Sequence, residues 1–314
     1  MVINTGSRTD TVQYFSNWLL NRFNEGYVYV RNPYYQETVT RYELTPDVVD
    51  CVLFCSKNYK PILKDITRIT SKFNTYFHYT ITCYGKEIEP GVPSVEESMK
   101  TLKELSEIVG KKRLSWRYDP IILTDVYTKE KHIEMFEKMA KELSPYIDRC
   151  IFSFVTIYEK LKENMPEIIP MTEEDEEYLL ENMGRIAKEN NMILQTCGMK
   201  ESYAKYGIQT SGCATADILE LANDIEFTEK KKHDVREGCN CIESREIGAY
   251  DTCLNGCKYC YANKNPEIAV KNYKLHNPNS PMIIGDIKSG DNIQQGVQKS
   301  IIKKKSEKKK VLDF

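Results

Sequence analysis

Two β-rich runs enclose a helical run in the most regular part of the sequence: YFHYTITCY (Tyr76–Tyr84), SVEESMKTLKELSEIV (Ser94–Val109) and LSWRYDPIIL (Leu114–Leu123). The outer runs are rich in Tyr, Phe, Thr and Ile, which favour strands. The middle run begins with Ser94 and Glu97, the spacing of a helix capping box, and ends at Gly110, a common helix stop. This stretch therefore predicts a strand, a helix and a second strand.

The same alternation extends in both directions over residues 1–225. Further β-rich runs lie at Met1–Thr5, Val48–Cys55, Arg149–Thr156 and Met192–Gly198. Helical runs lie at Thr9–Asn24, Pro61–Phe73, Thr128–Leu143, Thr172–Asn190 and Ala216–Ala222. Strands separated by helices usually pair in parallel, so we expect an α/β fold, a partial or complete (β/α) barrel of about six βα units. An open doubly wound sheet is the alternative.

The pattern changes after residue 225. Residues 226–270 are charged and rich in cysteine, and residues 271–314 form a C-terminal extension. Because reactive residues of a barrel lie at the carboxyl ends of its strands, we expect the cysteine-rich segment to pack on the barrel mouth. The extension ends in a lysine-rich tail, Ile301–Phe314, which predicts a solvated terminus and does not favour a nucleic-acid partner.

The overall composition is ordinary for a globular chain except for its eleven cysteines. The 314 residues include 44 basic and 46 acidic side chains, with a formal net charge of −2. This balance excludes a globally basic nucleic-acid coat and a disordered acidic chain. No run of about 18 apolar residues is present, which argues against a membrane-spanning segment. Because Met1–Asp10 lacks a signal-peptide pattern, we expect a cytoplasmic protein with reduced thiols.

The cysteines fall into two groups. Four lie in apolar runs of the first half, where a cysteine is usually a small core residue: Cys51, Cys55, Cys83 and Cys150. The other seven lie between residues 197 and 260. Without a secretory signal, such clustering indicates metal or redox chemistry rather than disulfides.

Three cysteines of the second group form the strongest motif, CLNGCKYC, with thiols at Cys253, Cys257 and Cys260. Soft thiolates favour iron–sulfur clusters, copper(I) or zinc. Three thiolates on a 4Fe–4S cluster leave one iron open to a small molecule. A structural zinc site normally needs four ligands in two pairs. The spacing therefore favours an iron–sulfur cluster with an open iron.

The motif resembles the Cys-x3-Cys-x-aromatic-Cys cluster motif of the radical S-adenosylmethionine (radical SAM) enzymes, with Tyr259 at the aromatic position. Those enzymes also use a six-unit partial barrel, but in most of them the motif follows the first strand. The chain looks more like an uncharacterised radical-SAM-like family, described as a domain of unknown function, whose motif lies near the C-terminus. A looser similarity reaches spore photoproduct lyase, a radical enzyme of DNA repair.

The narrower resemblance rests on segments spread over roughly residues 4–265: SRTD (Ser7–Asp10), RNP (Arg31–Pro33), SKN (Ser56–Asn58), EPGVP (Glu89–Pro93), WRYDP (Trp116–Pro120) and the run through the motif (Ile247–Asn263). The family usually has an aromatic residue and a threonine where this chain has Cys55 and Ser56. We therefore do not expect Cys55 to be a ligand.

The resemblance implies a mechanism and its cofactors. Cys253, Cys257 and Cys260 would bind a 4Fe–4S cluster whose open iron chelates S-adenosylmethionine. One electron, from a donor such as ferredoxin or flavodoxin, would cleave the sulfonium bond, and the 5′-deoxyadenosyl radical would abstract hydrogen from a substrate. Tyr259 would lie near the adenine. The protein would position the cofactor and exclude water.

Residues that follow other strands would face the cluster if its loop covers the barrel mouth. Arg117 could hold a carboxylate bidentately, and Asp119 could accept a hydrogen bond from a ribose or substrate hydroxyl. The same rim would include Arg8, Asp10, Lys57 and Asn58. We take Arg117, Asp119, Arg8, Asp10 and Lys57 as catalytic candidates, and Tyr259, Asn58 and Arg117 as cofactor-binding candidates.

Each rim residue has a structural alternative, an ion pair or a loop cap. Arg8 with Asp10 could simply start the first helix, where an aspartate is favoured. The glycine-rich motif that binds the amino group of the cofactor in many radical SAM enzymes is not evident after the second strand.

The remaining cysteines of the second group are Cys197, Cys213, Cys239 and Cys241, which match positions of the family that the chain resembles. They could complete a second 4Fe–4S cluster, hold zinc or remain free thiols. Three function classes follow: a radical SAM-type enzyme, a non-catalytic iron–sulfur protein for electron transfer or redox sensing, and a zinc-stabilised binding module.

Overall fold

A computed structural model describes residues 1–199, 201–233 and 238–303 of the chain. The strands in these residues, numbered in chain order, are β1 (Val2–Asn4), β2 (Tyr27–Arg31), β3 (Thr38–Glu43), β4 (Cys51–Ser56), β5 (Thr75–Thr80), β6 (Leu114–Ile121), β7 (Arg149–Phe154), β8 (Ile193–Thr196), β9 (Ser244–Glu246) and β10 (Asn292–Gln295). Seven of them form one main sheet, and three form a second, smaller sheet.

The main sheet is parallel throughout, in the order β8-β7-β6-β5-β4-β1-β9. This confirms the α/β class with parallel strands. From β1 to β8 the order of the strands follows the chain, and β9 then pairs on the other side of β1. The sheet is not closed, because β8 and β9 form its two edges in the described residues. A complete barrel is therefore not formed.

The helices of the described residues follow the predicted alternation, with four differences. They are α1 (Thr11–Tyr14), α2 (Ser16–Glu25), α3 (Thr67–Thr70), α4 (Val95–Val109), α5 (Lys129–Leu143), α6 (Glu159–Asn164), α7 (Glu173–Glu189), α8 (Ala216–Asn223) and α9 (Pro266–Tyr273). Helices α6 and α9 were not predicted from the sequence. The predicted capping box of α4 is present. The helix expected at Thr9–Asn24 is split at Phe15, which has φ −130°. Only α3 is helical within the run expected at Pro61–Phe73. In the described part of the chain, no helix is both long and apolar enough to cross a membrane.

The small sheet pairs a hairpin from the N-terminal part of the chain with a strand of the C-terminal extension. β2 and β3 form an antiparallel hairpin, and β10 adds to β3 in parallel. Arg31 holds Asp291, the residue before β10, through two hydrogen bonds of 2.6 and 2.7 Å. The first part of the C-terminal extension is thus anchored to the hairpin. Its lysine-rich tail lies outside the described residues from residue 304 onward.

The two faces of the main sheet differ in chemistry because side chains alternate along each strand. One face is apolar and packs on helices: Phe54 stacks on Phe77 with ring centroids 4.8 Å apart, and Trp116 stacks on Phe136 of α5 at 5.1 Å. On the opposite face, α8 and its flanks cover the amino-terminal half, where Leu219 belongs to an apolar cluster. Polar side chains lie nearer the carboxyl ends: Cys55, Arg117, Asp119 and Ser153. The sheet thereby places a polar surface beside its carboxyl edge.

His132 of α5 makes the stability of the fold depend on pH. Its Nδ1 lies 2.8 Å from the Tyr118 hydroxyl and its Nε2 lies 2.8 Å from the carbonyl oxygen of Ile122. Burial lowers the pKa of His132 to about 4, whereas the pKa of a histidine in an unfolded chain is about 6.5. Between these values the unfolded chain binds a proton that the folded chain does not bind. This contribution to stability is therefore present above the unfolded pKa and is lost as the pH falls.

We expect His132→Gln to flatten the pH dependence of unfolding. Urea unfolding at pH 7 and pH 5 should show that the wild-type free energy of unfolding falls by about 2 kcal/mol more than that of the variant. The quantity compared is the change in the free energy of unfolding between pH 7 and pH 5, so a general loss of stability in the variant does not affect the result. Equal changes in the two proteins would show that His132 does not stay neutral in the folded chain.

Candidate metal centre

The loop that carries the three motif cysteines packs on the carboxyl edge of the main sheet. It follows β9, and because β9 pairs with β1, the loop lies beside the residues that follow β1. Two backbone hydrogen bonds also join the loop to the segment after β5. Gly91 N donates to the carbonyl oxygen of Asn255 at 2.8 Å, and Lys258 N donates to the carbonyl oxygen of Ile88 at 3.0 Å. The motif thus lies where parallel strands present reactive residues.

The motif thiols are sheltered from solvent to different degrees. Cys253 is buried, and Cys257 and Cys260 are partly buried. Burial raises the pKa of Cys253 to about 12 and that of Cys257 well above its ordinary value. Metal binding is what would deprotonate such thiols at neutral pH. Ala262 N already points at the Cys260 sulfur, 3.3 Å away, as a donor to a thiolate.

The three motif thiols are soft ligands that could hold a metal group. In the described residues, no three or more His, Cys, Asp and Glu side chains are already arranged around a single metal ion. A structural zinc ion would need four ligands in such an arrangement, and a 4Fe–4S cluster would take one thiolate on each of three irons.

Asp10 lies where three loops meet. Its carboxylate accepts hydrogen bonds from Ser56 Oγ (2.7 Å), Lys57 N (2.9 Å), Gln13 N (3.0 Å) and Asn255 Nδ2 (3.3 Å). It is also the N-cap of α1, and burial raises its pKa. These partners belong to the scaffold, so the contacts of Asp10 match the structural alternative considered for it. They tie the motif loop to the ends of β1 and β4.

Lys57 and Glu89 form a buried ion pair beside the motif. Lys57 Nζ lies 2.8 Å from Glu89 Oε1, and the two side chains are 12% and 2% exposed. The same oxygen accepts hydrogen bonds from Thr82 Oγ1, at 2.8 Å, and from the Tyr259 hydroxyl. Burial opposes the charge on Lys57, but the Glu89 carboxylate and the nearby Cys257 sulfur outweigh it and raise the Lys57 pKa. Lys57 is thus a fixed cation next to a motif thiol.

Arg117 and Asp119 come together on the polar face of the sheet. Residues two apart on a strand point to the same side, and the two side chains form an ion pair. Asp119 also accepts a hydrogen bond from Ser153 of β7. Arg117 Nη1 donates to the Cys55 sulfur at 3.7 Å. Its Nε has no hydrogen-bond partner among the residues that the structure describes. The guanidinium therefore keeps one unused donor.

Arg8 and Asn58 lie at the same edge but make different contacts. The guanidinium of Arg8 lies 5.4 Å from the ring centroid of Tyr250, three residues before the first motif cysteine. Asn58 Oδ1 accepts a hydrogen bond from Lys60 N at 3.0 Å, as a loop cap does. The side chain of Asn58 is thus engaged in its own turn, while Arg8 reaches toward the motif segment.

Three side chains at the site are absent from the candidates chosen by sequence. Glu246, at the end of β9, accepts hydrogen bonds from Ser7 N (2.9 Å) and Gly248 N (2.7 Å). The Tyr261 hydroxyl donates to the carbonyl oxygen of Ser7 at 2.6 Å. The third is Glu89. Glu89 and Tyr261 could have been found, since one follows a strand and the other follows the motif. Glu246 lies in a charged run without a strand signal.

Three of the four cysteines expected in the core are buried: Cys51, Cys83 and Cys150. The fourth, Cys55, is instead half-buried on the polar face of the sheet, where Arg117 donates a hydrogen bond to its sulfur. Four others form a separate series of neighbouring thiols beyond the end of β8: Cys197, Cys213, Cys239 and Cys241.

Helix α6 holds the motif loop from outside the sheet. Lys160 Nζ donates to the carbonyl oxygens of Cys260, at 2.8 Å, and Asn263. Just before the helix, the Tyr158 hydroxyl donates to the carbonyl oxygen of Tyr259 at 2.9 Å. These bonds fix the backbone on both sides of the last motif cysteine.

We expect Lys160→Met to loosen this loop. The variant keeps the length of the side chain but loses both hydrogen bonds, at a cost of about 2 kcal/mol. Iron bound by the anaerobically loaded protein should pass to a chelator several-fold faster than in the wild type. The matched control is Lys162→Met, whose ammonium pairs with the exposed Glu159, at 2.7 Å. Equal rates for both variants would show that Lys160 does not hold the loop.

Comparison with known families gives one result for most of the chain. A family model described as "Domain of unknown function (DUF1848)" matches residues 2–262. The match spans the main sheet, the four-cysteine series and the motif through Ala262. A search of curated proteins gives no significant match.

Proposed function

The chain belongs to the DUF1848 family, and from its site we propose that it is a radical SAM-type iron–sulfur enzyme acting on a substrate of unidentified class. The observation that carries the proposal is the pairing of β9 with β1. The radical SAM enzymes that the motif resembles carry it after the first strand. Here the motif is late in the chain, but the strand before it lies next to β1. The motif cysteines therefore reach the equivalent edge of the sheet.

We also propose that the main sheet is an open partial barrel. Its strands from β1 to β8 follow the chain in order, as they do in a barrel. The loose resemblance of the sequence to spore photoproduct lyase is too weak to carry a substrate over to this chain. The electron would come from a small reductant such as a ferredoxin or a flavodoxin.

The residues at the site have distinct tasks under this proposal. Cys253, Cys257 and Cys260 would hold a 4Fe–4S cluster. When bound with S-adenosylmethionine, that cluster supplies reductive cleavage of a carbon–sulfur bond and a radical able to abstract hydrogen. Lys57 offsets the negative charge of the thiolates, and Glu89 keeps Lys57 in place. Burial of this pair excludes water from one side of the motif.

The polar face of the sheet would receive the cofactor or substrate. Arg117 has an unused Nε–H that can donate to an anionic oxygen. Asp119 keeps the guanidinium oriented, and Ser153 orients Asp119 in turn. Cys55 lies beside this pair, and its thiol lines the same surface of the sheet. We propose that a carboxylate of the bound molecule contacts Arg117.

Electron paramagnetic resonance separates the proposed function from its alternatives. Anaerobically purified protein, reduced with dithionite, should give a 4Fe–4S signal that changes when S-adenosylmethionine is added. A signal that does not respond would indicate an electron-transfer protein whose irons are all capped by protein. A colourless protein containing zinc would indicate a binding module. Either result would overturn the proposal.

A further inference from the structure

Four cysteines outside the motif form an unbroken series of neighbouring sulfurs. Cys213 Sγ lies 3.3 Å from Cys241 Sγ. Hydrogen-bond contacts extend the series from Cys213 to Cys197 and from Cys241 to Cys239. The four residues come from three separate segments: the end of β8, the turn before α8 and the loop before β9. Nothing in the local sequence requires these segments to meet at their cysteines.

The backbone around the series is closely packed. Ile242 N donates to the carbonyl oxygen of Ala214 at 2.9 Å, and Ala214 N points at the Cys241 sulfur at 3.4 Å. A Cβ on Gly212 would lie 2.6 Å from the carbonyl carbon of Asn240, so only glycine allows the two segments to approach this closely. The segments are therefore held together by main-chain contacts and not only by their thiols.

The series has a cation and a backbone donor beside it. The Arg117 guanidinium lies close enough to Cys197 and Cys213 to act on both electrostatically. Ala214 N points toward the Cys241 sulfur. None of the four cysteines is in a disulfide bond, and Cys213, Cys239 and Cys241 are only partly buried, unlike the core thiols Cys51 and Cys150. A packing role does not account for this combination.

We propose that Cys197, Cys213, Cys239 and Cys241 bind a second 4Fe–4S cluster in which every iron carries a protein thiolate. The spacing of two of these cysteines favours a cluster over zinc. Cys239 and Cys241 are separated by one residue, whereas the paired cysteines of structural zinc sites are separated by two to four. Four thiolates on separate irons are the ordinary ligand set of a 4Fe–4S cluster.

A fully ligated cluster leaves no iron for a small molecule, so this site would transfer electrons. Its Cys239 end is partly exposed, which gives a reductant access. Arg117 lies between this series and Cys55 on the polar face of the sheet. The four-cysteine site would thus accept an electron from a ferredoxin- or flavodoxin-class donor at the surface and pass it toward that face. The expected iron counts rest on the proposed function, since the three-cysteine motif is taken to hold its own cluster.

Iron counting in matched variants tests this site without an activity assay. The triple variant Cys253→Ala, Cys257→Ala, Cys260→Ala, reconstituted anaerobically, should keep about half of the wild-type iron and sulfide. The variant Cys213→Ala, Cys241→Ala should also keep about half, and its reduced signal should still respond to S-adenosylmethionine. The core variant Cys150→Ala should keep all of the iron.

Mössbauer spectra of the wild-type protein give the same count without substitution, at about eight irons per chain. About four irons per chain in the wild type, with none lost in Cys213→Ala, Cys241→Ala, would overturn the proposal. So would one zinc per chain that disappears in that variant while the sulfide content stays the same.

Discussion

Replacing Cys257 by alanine should abolish formation of 5′-deoxyadenosine from S-adenosylmethionine. Cys257 is the middle thiol of the motif, and its loss leaves two thiolates where a 4Fe–4S cluster with one open iron needs three. We expect the rate to fall by about 1,000-fold or more, which corresponds to about 4 kcal/mol of transition-state stabilisation. The assay uses reconstituted, dithionite-reduced protein under anaerobic conditions, with the product measured by chromatography.

The matched control for this prediction is Cys83→Ala. Cys83 is buried near His132, with its sulfur 3.5 Å from the ring nitrogen Nδ1. It belongs neither to the three-cysteine motif nor to the four-cysteine series. The control should keep both iron and activity, apart from a small loss of stability. Undiminished product from Cys257→Ala would show that the motif does not carry the reaction.

Asp10→Ala should produce the second largest effect, on stability. Four donors around the carboxylate would lose their acceptor, and buried unsatisfied donors cost about 1–3 kcal/mol each before the structure relaxes. We expect the metal-free protein to lose about 3 kcal/mol in urea unfolding. The exposed Asp125→Ala is the control and should change stability by less than about 0.5 kcal/mol.

The same variant separates the two roles considered for Asp10. If Asp10 acts on the substrate, Asp10→Asn should lose activity while keeping nearly full stability, because the amide has the same size. If Asp10 joins the loops, both substitutions should lower stability, and the loss of bound iron should follow the loss of stability. The hydrogen bonds from Ser56, Lys57 and Asn255 favour the second outcome.

The strands of the main sheet were predictable where burial is strong. β4, β5, β6 and β7 are continuous apolar or aromatic runs, because a parallel sheet is covered on both faces. β9 was not predictable: Ser244–Glu246 is polar and charged, and it joins the sheet through backbone hydrogen bonds to β1. β10 likewise is short, polar and exposed. The β2–β3 hairpin, which was not among the predicted strands, did carry a signal, since Tyr27–Arg31 alternates Tyr and Val.

The site was predictable only in part for a similar reason. Spacing identifies the motif cysteines, and position after a strand identifies Arg117, Asp119 and Lys57. Neither spacing nor position identifies the residues that contact these side chains. Glu89 meets Lys57 across 32 residues, and Lys160 meets Cys260 across 100. Such pairs depend on which loops the sheet brings together, and the position of the motif loop depends on β9.

Formation of 5′-deoxyadenosine by the wild-type protein tests the proposed function most directly. Anaerobically reconstituted protein is reduced with dithionite and incubated with S-adenosylmethionine, and the product is compared with that of the Cys257→Ala variant under the same conditions. We expect the wild type to form 5′-deoxyadenosine and methionine in equal amounts, even without added substrate, and the variant to form neither. Absence of both products from wild-type protein whose clusters are intact and reduced would show that this protein is not a radical SAM-type enzyme.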